Sequence, residues 1–310
     1  MLAALKFCFA SLVLLLNTLL FCGLMLPFAL LKLLLPLTAV RRVLDRVLIG
    51  ISATWIDINS GWLRSVNRGA WHVSGLDGLR PDAWYLVTCN HQSWVDIVVI
   101  QRVLNRRIPM LKFFLKKELI YVPILGLAWW ALDFPFMRRG SGGGSARKDL
   151  RDARQACEKF RLLPTSVMSF AEGTRFTAAK HAEQPAPPPY QHLLAPKAGG
   201  MGMALGTMGE LFTSLVDVTI VYPDKVPSFI DALCGRLGDV VVQVQQHPIP
   251  PELLQTNARQ RSQLQNWLNT IWHDKDQAIT QVLAQRQTGR SYAAPSAQII
   301  RRCGFFTPYR

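Results

Sequence analysis

The chain has 310 residues, 35 of them Lys or Arg against 20 Asp or Glu, for a formal net charge of +15, and half of its residues are hydrophobic. That length allows one sizeable catalytic domain plus membrane-associated elements. The positive excess suits an anionic partner, nucleic acid or membrane; an intensely apolar N-terminus and the lack of any zinc-finger or aromatic RNA-binding signature exclude nucleic acid in favour of anionic lipid.

Between Lys6 and Lys32 the segment 7–31 contains no charged side chain, and a second apolar run continues from Leu33 to Val40. This is long enough to span a bilayer once. Asn17-Thr18, Gly23, Pro27 and Pro36 interrupt it, so a two-helix hairpin dipping into one leaflet is the alternative for an anchor over 1–40. The run is too long for the apolar core of a cleaved signal peptide. Arg41, Arg42 and Arg46 follow it, which for a single span places the next domain in the cytoplasm. Cysteines 8, 22, 89, 157, 234 and 303 form no C-x-x-C pair and no metal-binding spacing. They read as reduced thiols on a cytoplasmic face, with no metal site.

Residues 41–65 carry Val43, Val47, Ile51 and Trp55 at four-residue intervals, the pattern of an amphipathic helix lying on the membrane or on the catalytic domain. The catalytic domain is expected over 66–250, with strands at Trp71–Val73 and Trp84–Thr88, a helix over Asp96–Asn105 and a strand at Ile108–Leu111. Ile120–Phe136 is apolar, but Asp133 and its flanking motifs argue for an interfacial helix rather than a second span. Gly140–Gly144 lacks the lysine-hydroxyl ending of a P-loop and reads as a connector. A basic amphipathic helix over Lys148–Leu163 and a strand over Ser166–Phe170 complete a β-α-β pattern, so the fold class is α/β. Pro185, Pro187, Pro188 and Pro189 mark 176–197 as an exposed loop; Gly199–Thr213 reads as a glycine-bearing helix, and Leu215–Tyr222 as β-rich. Over 251–310, Leu264, Leu268, Ile271, Trp272, Ile279 and Val282 recur at helical spacing ahead of a tail.

Asn90-His91-Gln92-Ser93-Trp94-Val95-Asp96 holds the most specific chemistry. Five residues advance a helix by about 500°, so His91 and Asp96 meet only if His91 sits in a turn and Asp96 on the following helix. Asp96 then fixes the imidazole tautomer and leaves the other ring nitrogen to deprotonate a hydroxyl. Downstream, Glu172-Gly173-Thr174-Arg175 combines a carboxylate, a flexible glycine, a hydroxyl and a guanidinium suited to phosphate. Lys116-Lys117-Glu118-Leu119 and Arg138-Arg139 add cations between these blocks.

In order, chemistry and spacing, the four blocks over roughly 65–225 resemble the PlsC-type glycerolipid acyltransferases, whose lysophosphatidate-acylating members carry NHxSxxD, K-x-E-L, an arginine-bearing block and FPEGTR. Tyr190–Lys197, YQHLLAPK after a proline-rich insertion, resembles the insertion-bearing bacterial YihG branch. Ala171 stands where the family has proline, and Pro223 lies only at the end of the fourth block. The resemblance implies a glycerolipid acyltransferase-like αβ domain at the bacterial inner membrane, facing the cytoplasm. It also implies direct acyl transfer from acyl-CoA or acyl-carrier protein, with no cofactor, to the sn-2 hydroxyl of lysophosphatidic acid. His91 and Asp96 would be catalytic; Lys116, Arg139, Glu172, Gly173, Thr174 and Arg175 would bind substrate. Another lysophospholipid such as lysocardiolipin is the alternative acceptor. A lipid or thioester hydrolase would need a serine elbow that Gln92-Ser93-Trp94 lacks, and a non-catalytic lipid-binding protein would not need the His91/Asp96 pair.

Overall fold

The computed structural model describes residues 1–35, 37–137, 160–254, 260–288, 292 and 298–299. Arg139, Gly140–Gly144 and all but the last residues of the helix expected over Lys148–Leu163 lie outside them, as do the tail residues 300–310.

Helix α1 runs unbroken from Leu2 to Leu34, with Pro27 inside it. Neither Asn17-Thr18 nor Gly23 divides it: the side chains of Asn17 and Thr18 face a partner helix, and Gly23 lies on the exposed side. That partner, α2 (Thr38–Val66), returns antiparallel. Asn17 donates to Trp55 O at 3.0 Å and Asn59 Oδ1 at 2.9 Å, while Trp55 Nε1 donates to Thr18 Oγ1 at 3.2 Å. Lys6 Nζ donates to Val66 O at 2.7 Å at one end, and Lys32 pairs with Asp45 and Asp133 at the other. Lys6, Asn17, Thr18 and Lys32 of α1 thus each meet a partner on α2. The outward leucines of α1, among them Leu12, Leu16, Leu20 and Leu30, remain exposed. By length and composition α1 is able to cross a membrane.

The core is a seven-stranded sheet in the order β3-β6-β2-β7-β8-β1-β9. Its strands are β1 (Trp71–Ser74), β2 (Trp84–Cys89), β3 (Leu111–Phe113), β6 (Ser166–Ser169), β7 (Phe212–Val221), β8 (Val240–His247) and β9 (Gln298–Ile299). Strands β3, β6, β2 and β7 run parallel, whereas β8 is antiparallel to β7 and β9 to β1. The near-continuous burial of β2 and β7 is what a sheet covered on both faces requires. Helix α3 (Val95–Leu104) packs on one face with Trp62, Leu63 and Val66 of α2; α6 (Gly199–Met208) and α8 (Gln260–Gln287) cover the other. Strands β4 (Leu115–Lys116) and β5 (Phe136–Met137) form a separate parallel pair.

Several local expectations shift. The strand after α3 begins at Leu111. Over 120–136 only α4 (Leu125–Ala131) is α-helical, preceded by a 3₁₀ turn, and it packs on Met25 and Ala29 of α1. Asp133 leaves the helix at φ +56 to meet Lys32 and Arg41. The helix from Gly199 ends at Met208 because Phe212 already belongs to β7. The proline-rich stretch is not wholly exposed: it contains α5 (Ala178–Ala182), and Tyr190, Leu193 and Leu194 enter the core.

On the buried face of α8, Lys275 donates to Val218 O at 2.7 Å and Thr219 Oγ1 at 3.2 Å and lies 2.8 Å from Asp217 Oδ1. Lys275→Met leaves Asp217 buried without its counter-charge. The expected cost is about 3–5 kcal/mol in unfolding experiments, partly recovered when Asp217→Asn is added.

Candidate active site

Parallel register brings the two principal motifs together. Thr88 of β2 pairs with Ser169 of β6, so three residues further on His91 and Glu172 leave the same edge of adjacent strands. Ligands bind at the carboxyl ends of such strands. His91 lies in the turn and Asp96 in the first turn of α3.

His91 Nδ1 is 2.9 Å from Asp96 Oδ2. The same oxygen accepts the backbone N–H groups of Gln92 at 2.6 Å and Ser93 at 2.8 Å, and Asp96 Oδ1 accepts the Tyr222 hydroxyl at 2.7 Å. Three donors other than the imidazole converge on this buried carboxyl, so its oxygens act as acceptors. Burial, followed by the Asp96 charge, pushes the Tyr222 hydroxyl well above its ordinary pKa, so it acts as donor. Asp96 therefore receives Nδ1–H, and Nε2 carries the lone pair. The imidazole stacks on Phe170 with centroids 4.0 Å apart, which fixes its plane.

The main chain of His91 is held from both sides by the 172–176 turn. Its N–H donates to Glu172 Oε1 at 2.9 Å, and its carbonyl accepts Phe176 N–H at 2.7 Å. Glu172 Oε2 accepts the N–H of Leu194 at 3.1 Å. Both carboxyl oxygens of Glu172 thus hold the main chain. Gly173 adopts φ +70, a conformation that disfavours a side chain. In the absence of the family's proline, the turn is held by Gly173 N–H to Phe170 O at 2.9 Å and Lys197 N–H to Ala171 O at 2.8 Å.

Arg175 is exposed, with its guanidinium 5.0 Å from the ring centre of Trp94. Thr174 Oγ1 accepts Lys180 Nζ at 2.6 Å. Lys116 is exposed on β4, outside the main sheet, and pairs in register with Met137; Arg139 falls outside the described residues. Among the described residues, no group of three or more His, Cys, Asp or Glu is placed to hold a metal ion.

Sequence reasoning missed Tyr222, Asn90 and the Leu194 amide. Asn90 exchanges two 2.9 Å hydrogen bonds with the main chain of Ile220, joining the catalytic turn to β7. A tyrosine ending a buried β run and an asparagine opening the motif were the available signals; a backbone amide across a long insertion leaves none.

Burial raises the Glu172 pKa to about 7, against the lowering effect of its two backbone donors. Between its ordinary value and about 7 the folded state holds a proton that the unfolded chain releases. This carboxyl's contribution to stability is therefore full below the ordinary value and is lost as pH rises through about 7. Glu172→Gln presents an NH₂ to one of the two amide donors and should destabilise by about 1–3 kcal/mol at low pH. Melting curves across this pH range should show the gap narrowing as pH rises; a gap independent of pH contradicts the assignment.

Residues 70–222 match the family model described as Acyltransferase. The 1-acyl-sn-glycerol-3-phosphate acyltransferase gamma of Homo sapiens is 26% identical over 184 residues, covering 56% of this chain and 46% of that protein. The delta protein of Mus musculus is 25% identical over 203 residues, covering 62% and 51%. Acyltransferase 3 of that name from Arabidopsis thaliana is 26% identical over 204 residues, again covering 62% and 51%. The chain spans about half the length of these curated relatives. In fold it resembles the crystal structure of the 1-acyl-sn-glycerophosphate acyltransferase PlsC from Thermotoga maritima, with TM-score 0.55 and 16% identity over 89% of this chain and 97% of that one. Residues 70–222, which carry the histidine and the carboxyl at the carboxyl edge of a mixed sheet, are thus similar to the acyltransferase family.

Proposed function

We propose that the protein transfers a fatty acyl group from an acyl thioester to the sn-2 hydroxyl of lysophosphatidic acid, yielding phosphatidic acid for phospholipid synthesis. The observation that carries this reading is the His91–Asp96 pair at 2.9 Å, with Tyr222 and two amides holding the carboxylate in place. Among the described residues, His91 Nε2 makes no hydrogen bond and is free to take the hydroxyl proton. As that proton leaves, the acceptor oxygen attacks the thioester carbonyl; collapse of the tetrahedral adduct expels the thiolate, which recovers the proton from the imidazolium. Asp96 stabilises the imidazolium throughout. Ser93 is not placed as a nucleophile, since its hydroxyl donates to Pro227 O and accepts Val95 N–H.

The relatives' printed names support the acceptor, and the exposed Arg175 suits a phosphate monoester. The co-substrate is acyl-CoA or acyl-carrier protein, with no cofactor. The Tyr190–Lys197 insertion supports assignment to the YihG branch. For localisation we place the protein at the bacterial inner membrane, facing the cytoplasm and anionic lipid. The pairing of α1 with α2 along its whole length favours a hairpin seated in one leaflet over a lone span, because a crossing α1 would draw Asp45 and Arg41 with it.

His91→Ala should lower acyl transfer about 10²–10⁴-fold while leaving membrane association unchanged, and Asp96→Asn should be comparably damaging. Activity within a few-fold of wild type, measured by mass spectrometry of products from a lysolipid panel, rejects the mechanism. High salt should fail to extract the protein from membranes, whereas detergent should release it, since apolar burial is insensitive to screening. Release by a salt wash would indicate attachment through charge alone.

A further inference from the structure

The exposed leucines of α1 and the buried Lys275–Asp217 pair both have a role in the fold as described. The segment 190–198 has more to account for. It lies in the insertion, yet it touches the Glu172–Arg175 turn at three points: Leu194 N–H on Glu172, Lys197 N–H on Ala171 O, and the Lys197 side chain over Gly173. A Cβ built on Gly173 would lie 3.6 Å from Lys197 Cδ and 3.9 Å from Nζ, so the ammonium sits against the backbone of the turn. Lys197 is exposed and makes no ion pair among the described residues. Lys180, by contrast, is spent on Thr174 Oγ1 and Arg175 O.

The segment is fastened from outside the 70–222 match, by α8. Asp276 accepts the N–H groups of Gln191 at 2.9 Å and His192 at 2.7 Å. Gln265 accepts Ala198 N–H at 3.2 Å and donates to Pro196 O at 2.9 Å, so it brackets Lys197 on both sides. Four side-chain hydrogen bonds from a helix distant in sequence thus hold this partly buried segment. Here they fix the main chain on either side of a cation that stands beside the Gly173 turn.

We infer that Lys197 is a second ligand for the anionic headgroup of the acceptor, acting with Arg175, and that Gln265 and Asp276 of α8 are positioning residues for it. The turn that would carry the phosphate is bonded to both sides of the His91 main chain. A phosphate gripped there by one guanidinium and one ammonium is held at a fixed distance from the base, which turns headgroup binding into orientation of the hydroxyl. The inference rests on the acyl-transfer reading proposed above.

The test compares full-length Lys197→Met, Lys197→Arg and Asp276→Asn with wild type, each acceptor and donor KM being measured separately. Lys197→Met keeps the aliphatic packing on Gly173 and should raise the acceptor KM about tenfold with the donor KM within twofold. Lys197→Arg should recover most of the loss. Asp276→Asn should move the acceptor KM in the same direction and lose its effect when combined with Lys197→Met. A monoacylglycerol, which lacks the phosphate, should not distinguish Lys197→Met from wild type. An equal rise for both substrates, a rise in the donor KM alone, or no change overturns the inference. If wild type prefers another anionic lysolipid, that lipid serves as acceptor and only the substrate assignment fails. If it acylates none, the acyl-transfer reading fails, and the shift in melting temperature with glycerol 3-phosphate decides Lys197: a shift smaller in Lys197→Met supports the site, and an equal shift rejects it.

Discussion

Both oxygens of the Glu172 carboxyl accept main-chain amides, one from the catalytic turn and one from the insertion, in a nearly dry environment. Removing a carboxyl from water is costly, and the cost is visible in its raised pKa. What offsets it is the pair of hydrogen bonds that pins three segments far apart in sequence: the turn after β2, the turn after β6 and the Leu194 segment of the insertion. His91 is not held by its side chain alone, since its N–H and its carbonyl both bond to the turn that Glu172 begins.

Asp96 shows the complementary solution. It too is buried, but it receives two amides, a phenol and the imidazole, and it lies in the first turn of α3, where the helix dipole favours negative charge. Two carboxyls in one site thus meet different fields. Asp96 is surrounded by donors, whereas Glu172 has two, and burial raises its pKa to about 7. The pattern suits the mechanism we propose, with charge beside the base and hydrogen-bond acceptance at the junction between loops.

The parallel strands and the His91–Asp96 contact were legible because they follow from local rules. Apolar runs of strand length precede both motifs, and the five-residue spacing only works across a turn into a helix. Elsewhere local pattern was overridden by tertiary partners. Asn17, Thr18 and Gly23 read as helix breaks, yet α1 continues through them because Asn59 and Trp55 of α2 satisfy the polar groups. Asp133 read as a residue of an interfacial helix, but Lys32 and Arg41, some hundred residues earlier, draw it out into a left-handed conformation. The prolines of the insertion signalled exposure correctly around 185–189 but could not reveal that Tyr190, Leu193 and Leu194 turn back into the core. Tyr222 was hidden for the same reason: its partner lies 126 residues away.

These long-range ties arrange the molecule so that its apolar exterior and its chemistry communicate through few elements. Helix α3 carries Asp96 at its start, and its apolar face shares one core cluster with Trp62, Leu63 and Val66 of α2, while Arg102 near its end donates to Ser60 O. Helix α2 is in turn bolted to α1 by the Asn17–Asn59 contact and the lysines at both ends. A rigid path of two helix contacts therefore connects the leucine-covered face of α1 to the carboxylate that orients the base. Trp94, exposed beside Arg175 in the turn that precedes α3, lies on the same path. The hairpin is thus packed against the domain rather than tethered to it, since Ala10 of α1 and Trp62, Leu63 and Val66 of α2 share the core cluster of α3 and the sheet.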